Sequence, residues 1–218
     1  MGLLDYVEYG AAWIFKNAKG HDDKLFTKGP AFIDLPEATF EVESPDCGPS
    51  GSPMKLEYTQ WNEPTARFPE LKWTKPSLDV KEYVLICEDP DAPFPTPGTH
   101  GLYVKVPEHV IGVTASDFEV VDEGAAEKKL RGPFKLGKNR RGTVYTGPRP
   151  PLGHGPHRYL YEVIALKEPL DEKKLSVVPT KDEVAEDIKG KVVGWGVWVG
   201  VYEHRKEGFE AWVKTPGS

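Results

Sequence analysis

The sequence predicts an all-β fold, a sandwich of antiparallel strands with a few peripheral helices. Three observations carry this. Runs rich in aromatic and β-branched residues recur at Tyr83–Glu88, His100–Val106, Arg158–Leu166 and Val192–Tyr202. Turn clusters separate them, drawn from 22 Gly and 21 Pro without any period. Helical spacing is confined to two short stretches.

In chain order, Leu3, Val7, Ala11 and Ile14 recur at helical spacing with Trp13 and Phe15 nearby, so residues 3–17 read as an amphipathic helix. Asp5 and Glu8 on its flank favour packing on the domain over a lipid surface. Ala31–Val42 and Met54–Tyr58 read as strands around the turn cluster Ser44–Pro53, and Phe68–Trp73 as a further extended piece. Tyr83–Glu88 is apolar on both faces and therefore central, and His100, Leu102, Val104 and Val106 share one face of the next strand. Lys135, Lys138, Arg140 and Arg141 form a basic patch read as a solvated loop.

Tyr145–Tyr159 holds four prolines, three glycines and two histidines, too many helix and strand breakers for regular structure. It delivers His157 onto a strand, where His157 and Tyr159 point to one face. Thr180 and Glu183 make a capping box for a helix that Gly190 stops. In the last strand Val193, Trp195, Val197, Val199 and Val201 oppose Gly194, Gly196 and Gly200, so something packs close to the glycines. One domain over residues 1–218 is expected, with an N-terminal helix in 1–20 and a loosely held tail at 204–218.

A net charge of −6 disfavours nucleic acid as a partner. Cys47 and Cys87 suggest neither a disulfide framework nor a metal knuckle, and Cys87 reads as a buried thiol in a reducing, cytoplasmic setting. Charged residues interrupt every apolar run near the start, so neither a secretory signal nor integral membrane association is expected.

Asp89 and His100 bracket one Pro-rich loop, and His157 and Tyr159 follow the other. If the strands are neighbours, these groups converge on an anion pocket with imidazole and amide donors. Asp89 and His157 would also suit acid–base chemistry, with Tyr159 as donor. Two histidines and one carboxylate could ligate a metal, but ligands on Pro-rich loops without an assured second acid argue against it, and no metal or other cofactor is expected. His154 reads as solvent-facing, and His21, His109 and His204 as surface residues.

Asp89-Pro-Asp-Ala-Pro93 followed by His100, and Gly147-Pro-x-Pro-Pro-x-Gly-x-Gly-x-His157-Arg-Tyr159, resemble the two signature motifs of the phosphatidylethanolamine-binding protein family. The likeness spans about residues 30–203 and its wording is closer to fungal and bacterial members than to animal ones. It implies an antiparallel β-sandwich with a small anion pocket at one end. Carried over by residue, the pocket comprises Asp89, Pro90, His100, Gly147, Pro148, His157 and Tyr159, with Pro93 shaping the loop. Its occupants would be phosphate, phosphoethanolamine or carboxylate groups, and its rim could regulate a protease or kinase target that the sequence does not name. The alternative is an enzyme recruited to metabolite biosynthesis, with Asp89 and His157 steering condensation or cyclisation of an anionic intermediate. Gly101 stands where many members carry an aromatic residue, implying a more open pocket wall. The C-terminal pocket tyrosine of animal members has no placed counterpart in the tail, which weakens the transfer of kinase inhibition and lipid preference.

Overall fold

The computed structural model describes residues 10, 13–61, 66–124 and 127–205. The expected N-terminal helix and the tail lie mostly outside them, although Gly10, Trp13 and Ile14 are helical. The strands are β1 (Val42–Glu43), β2 (Ser52–Pro53), β3 (Leu71–Trp73), β4 (Glu82–Asp89), β5 (Gly98–Pro107), β6 (Gly112–Val113), β7 (Val120–Asp122), β8 (Lys129–Leu130), β9 (Lys135–Leu136), β10 (His157–Leu166) and β11 (Val192–Tyr202). Six form a sheet in the order β2-β11-β10-β4-β5-β9, antiparallel except for the short parallel pair of β11 with β2. Three more form the sheet β1-β3-β6. The fold is all-β with few helices, as the turn-punctuated sequence predicts. Among the described residues no helix is long and apolar enough to cross a membrane.

The centre of the large sheet is apolar on both sides because both sides are covered. On the first face Tyr83, Leu85, Cys87, Tyr161 and Val163 pack with Val42, Leu71, Trp73 and Val113 of the small sheet. On the second, Val84, Ile86, Ile164 and Leu166 meet Phe26, Phe32, Val184 and Ile188. Val184 belongs to α1 (Lys181–Asp187), whose capping box pairs Thr180 with Glu183 as its spacing requires. Gly190 follows at φ 75°, a left-handed position suited to glycine.

The glycine face of β11 is packed as expected. A Cβ on Gly196 would stand 2.5 Å from the Phe40 carbonyl oxygen, and one on Gly200 would stand 2.5 Å from Met54 Sδ. Three local expectations are corrected. Only Val42 of Ala31–Val42 lies in a strand, because Pro30 and Pro36 deny the ladder its amides and Pro30–Phe32 coil into a 3₁₀ turn. Leu56–Tyr58 is likewise a 3₁₀ turn, which drops Tyr58 into the first core. The shared face of His100, Leu102, Val104 and Val106 is broken at two register shifts of the β4–β5 pair. Leu102 and Val104 face the second core and Val106 the first, with Lys105 at φ 61° between them.

Glu88 and Glu162 alternate onto the second face and are wholly buried. Glu88 accepts from the Phe26 amide at 2.7 Å and pairs with Lys181, while Glu162 Oε1 accepts from Thr27 Oγ1 at 2.5 Å. Burial, reinforced by the Glu88 charge, pushes the Glu162 carboxyl up to about 8.

Candidate functional site

β4 ends at Asp89 just where β10 begins, since Leu160 pairs with Glu88 and both chains then leave the ladder. On the other side Glu88 pairs with Thr99 and Cys87 with Gly101, so His100 is the extra residue of a bulge. The bulge breaks the strand alternation and turns His100 toward Tyr159, ring edge to ring face at 5.1 Å. Two strand ends and one bulge thereby bring Asp89, His100, His157 and Tyr159 together. All four are at least 95 % buried.

His157 Nδ1 lies 2.9 Å from Asp89 Oδ2, whose partner oxygen accepts from the Asp91 amide at 2.9 Å. His100 Nδ1 donates to the Thr146 carbonyl at 2.5 Å, which leaves Nε2 facing Asp89 Oδ2 at 3.9 Å. Burial holds His100 below the usual imidazole range, against the pull of Asp89, so Nε2 is a bare acceptor. Tyr159 Oη donates to no group among the described residues, and burial raises its phenol well above the ordinary range against the pull of the Arg149 amide. The cluster therefore holds a hydroxyl donor, an imidazole acceptor and a carboxylate-histidine pair.

The other expected residues frame these groups. Pro90 is buried under the N-terminal segment, its carbonyl accepting from the Gly20 and His21 amides at 3.1 and 3.0 Å. Gly147 follows Thr146 and lies so close to Tyr58 and Ala66 that a Cβ would stand 2.4 Å from Ala66 Cβ and 2.9 Å from the Tyr58 carbonyl. Pro148 is buried beside it, its carbonyl bonded to the Gln60 amide, and Pro93 is half-buried on the 89–98 loop. Arg158 ties the frame together by pairing with both Asp91 and Asp22 at 2.8 Å. Gly101 does not open the pocket wall. The Tyr103 phenol occupies the space, 2.7 Å from where a Cβ would stand, and is itself held by the Val144 carbonyl.

Sequence reasoning missed two residues. His154 is buried rather than solvent-facing, with Nδ1 2.7 Å from His157 Nε2 and Nε2 2.9 Å from the Phe15 carbonyl. Gly153 and Gly155, at φ 81° and 88°, fold the loop back so that it points inward. Arg140 stacks on Phe94 at 4.2 Å, and its charge acts on Asp89, His100 and Tyr159 although its side chain is exposed. Nothing in the basic run distinguished it from its neighbours. Of the expected surface histidines, His109 is exposed, whereas His21 is half-buried and His204 stacks on Trp61 at 4.4 Å. Beside the site, a cavity of about 900 Å³ is lined by Gln60, Phe68, Phe118, Tyr145, Gly147 and Arg149.

Residues 45–203 match the family model of phosphatidylethanolamine-binding protein. The chain is 46% identical over 204 residues to the phomoidride biosynthesis cluster protein B of Talaromyces stipitatus, covering 93% of this chain and 83% of that protein. A protein of the same name from another fungal species is 42% identical over 201 residues, covering 92% and 96%. YbcL of E. coli superposes with a TM-score of 0.61 at 23% identity, over 77% of this chain and 99% of its own, a likeness of fold. The pocket motifs, the sandwich and these relatives agree: the chain belongs to the phosphatidylethanolamine-binding protein family.

Proposed function

We propose that the chain binds a small organic acid at Asp89, His100, His157 and Tyr159 and acts in a biosynthetic pathway, with Asp89 and His157 moving a proton on the bound molecule. The observation that carries this reading is the buried 2.9 Å pair of Asp89 with His157, set beside a buried Tyr159 hydroxyl that donates to no group among the described residues. A pair shielded from water keeps its proton for a ligand rather than for solvent. Gly147, one of the expected pocket residues, also lines the neighbouring cavity, where an organic group extending from the bound acid would lie. Likeness along nearly the whole chain to two biosynthesis cluster proteins supports a metabolic role over the regulation of a protease or kinase.

The test incubates the protein with malonate, 2-oxoglutarate and phosphoethanolamine in deuterium oxide and follows carbon-bound hydrogen by NMR. Catalysed exchange next to a carbonyl, lost in Asp89→Asn and His157→Asn, is the expected result. Tight binding of phosphoethanolamine without exchange of any carboxylic acid would replace the enzyme by a head-group binder.

A further inference from the structure

We propose that Asp89, His157 and His154 form a proton wire that stores one proton at rest and runs from the pocket to the surface at Phe15. The inference deepens the acid–base reading above and rests on it for its purpose, but not for its geometry. Three contacts lie in a row: Asp89 Oδ2 to His157 Nδ1 at 2.9 Å, His157 Nε2 to His154 Nδ1 at 2.7 Å, and His154 Nε2 to the Phe15 carbonyl at 2.9 Å.

Each contact needs a proton, and the two ends constrain where it comes from. The Phe15 carbonyl can only accept, so His154 Nε2 carries a hydrogen. A neutral His154 is then bare at Nδ1, and the middle hydrogen belongs to His157 Nε2. The last contact holds a third proton, on His157 Nδ1 against a carboxylate or on Asp89 against a bare nitrogen. Two neutral imidazoles supply two protons, so the row holds one more than a carboxylate and two neutral imidazoles would. Shifting the charge to His154 changes where the extra proton sits and leaves the count the same.

Both nitrogens of His157 are occupied, so the row opens into the pocket at Asp89 Oδ2, which faces His100 Nε2 across 3.9 Å. The stored proton leaves there for the basic carbon or oxygen of a bound anion. The row is left with two protons for three contacts, and it reloads at His154 Nε2 once the Phe15 carbonyl lets go. Phe15 is half exposed, on the segment that also bonds Pro90 and Asp91 through the Gly20 amide. The charged groups around the row are Lys19 on the N-terminal segment, Arg140 on the loop after β9, and Asp91 with its partner Arg158. Burial of His154 is the main opposition to an added proton, and Lys19 and Arg140 add to it. Asp91 favours one, and the neutral ring of His100 adds no charge of its own.

The experiment is NMR of the full chain labelled with ¹⁵N-histidine and ¹³C-aspartate, at pH 8, above the ordinary histidine range. Expected are a hydrogen on His154 Nε2 and, in the same protein, either a second hydrogen on one of the two imidazoles or a protonated carboxyl in the ¹³C spectrum of Asp89. Two singly protonated rings beside an ionised Asp89 would overturn the stored proton, whatever the protein catalyses. The second arm uses His154→Gln, whose amide can accept from His157 and donate to Phe15 but cannot pass a proton along. Its exchange rate on 2-oxoglutarate should fall about tenfold, with binding and melting temperature unchanged and with rescue by added imidazole. Exchange at the wild-type rate in His154→Gln would sink the wire and leave the acid–base reading standing. Absence of exchange in the wild type would sink that reading, while the spectra still decide the proton count.

Discussion

His154 Nδ1 sits 2.7 Å from His157 Nε2, so the histidine that the family motif aims at a ligand is already capped by a second histidine. On the proposed reading, a bound acid would contact Asp89, His100 and Tyr159 and would reach His157 only through Asp89 or by displacing His154. This arrangement sets the expected effect of removing His157. His157→Ala leaves Asp89 Oδ2 and His154 Nδ1 buried without their His157 contacts, which costs about 2–3 kcal/mol of stability. Calorimetric titration with phosphate, phosphoethanolamine and malonate should show no heat in the folded variant. Unchanged heat would place the anion elsewhere.

Arg140 acts from the rim. Its guanidinium is held over Phe94 and its field reaches Asp89 and His100. Arg140→Gln should weaken malonate binding by about three- to tenfold, mostly through a slower on-rate, and should flatten its dependence on salt. Stopped-flow binding at two ionic strengths reads both. A loss confined to the off-rate would instead mean that Arg140 grips the ligand directly.

How legible the site was depends on distance along the chain. The convergence of Asp89, His157 and Tyr159 follows from apolar strands that end in polar groups, a local pattern. The face of Gly194, Gly196 and Gly200 was readable in the same way, because strand parity alone sorts small from large residues. His154 was not readable. Its partner Phe15 lies 139 residues away, and its inward turn depends on left-handed angles at Gly153 and Gly155. The bulge at His100 was equally hidden, since strand periodicity placed that residue with Leu102 and Val104, on the wrong face.

Gly196 offers a direct check on the packing. A methyl group there would press within 2.5 Å of the Phe40 carbonyl oxygen, a backbone atom that cannot rotate away. Gly196→Ala should destabilise by about 1–3 kcal/mol, lowering the urea midpoint without changing the slope. Alanine at wild-type stability would mean that the 39–40 segment moves freely over the sheet.

The Glu88–Glu162 pair predicts a dependence on pH unrelated to the pocket. Burial pushes the Glu162 carboxyl up to about 8, against an ordinary value near 4.5, so the folded protein keeps it protonated where the unfolded chain would ionise it. The folded state therefore binds more protons between those limits, and stability falls as pH rises through them. Thr27 and Phe26 hang on these two carboxyls, so the N-terminal 3₁₀ turns should loosen first. Urea unfolding at pH 5.5 and 8.5 should differ by a few kcal/mol in favour of the lower pH. Glu162→Gln, which keeps the shape and removes the charge, should flatten most of that difference. If the glutamine variant retains the full slope, Glu162 is already ionised in the fold, and Lys181 neutralises both carboxylates at once.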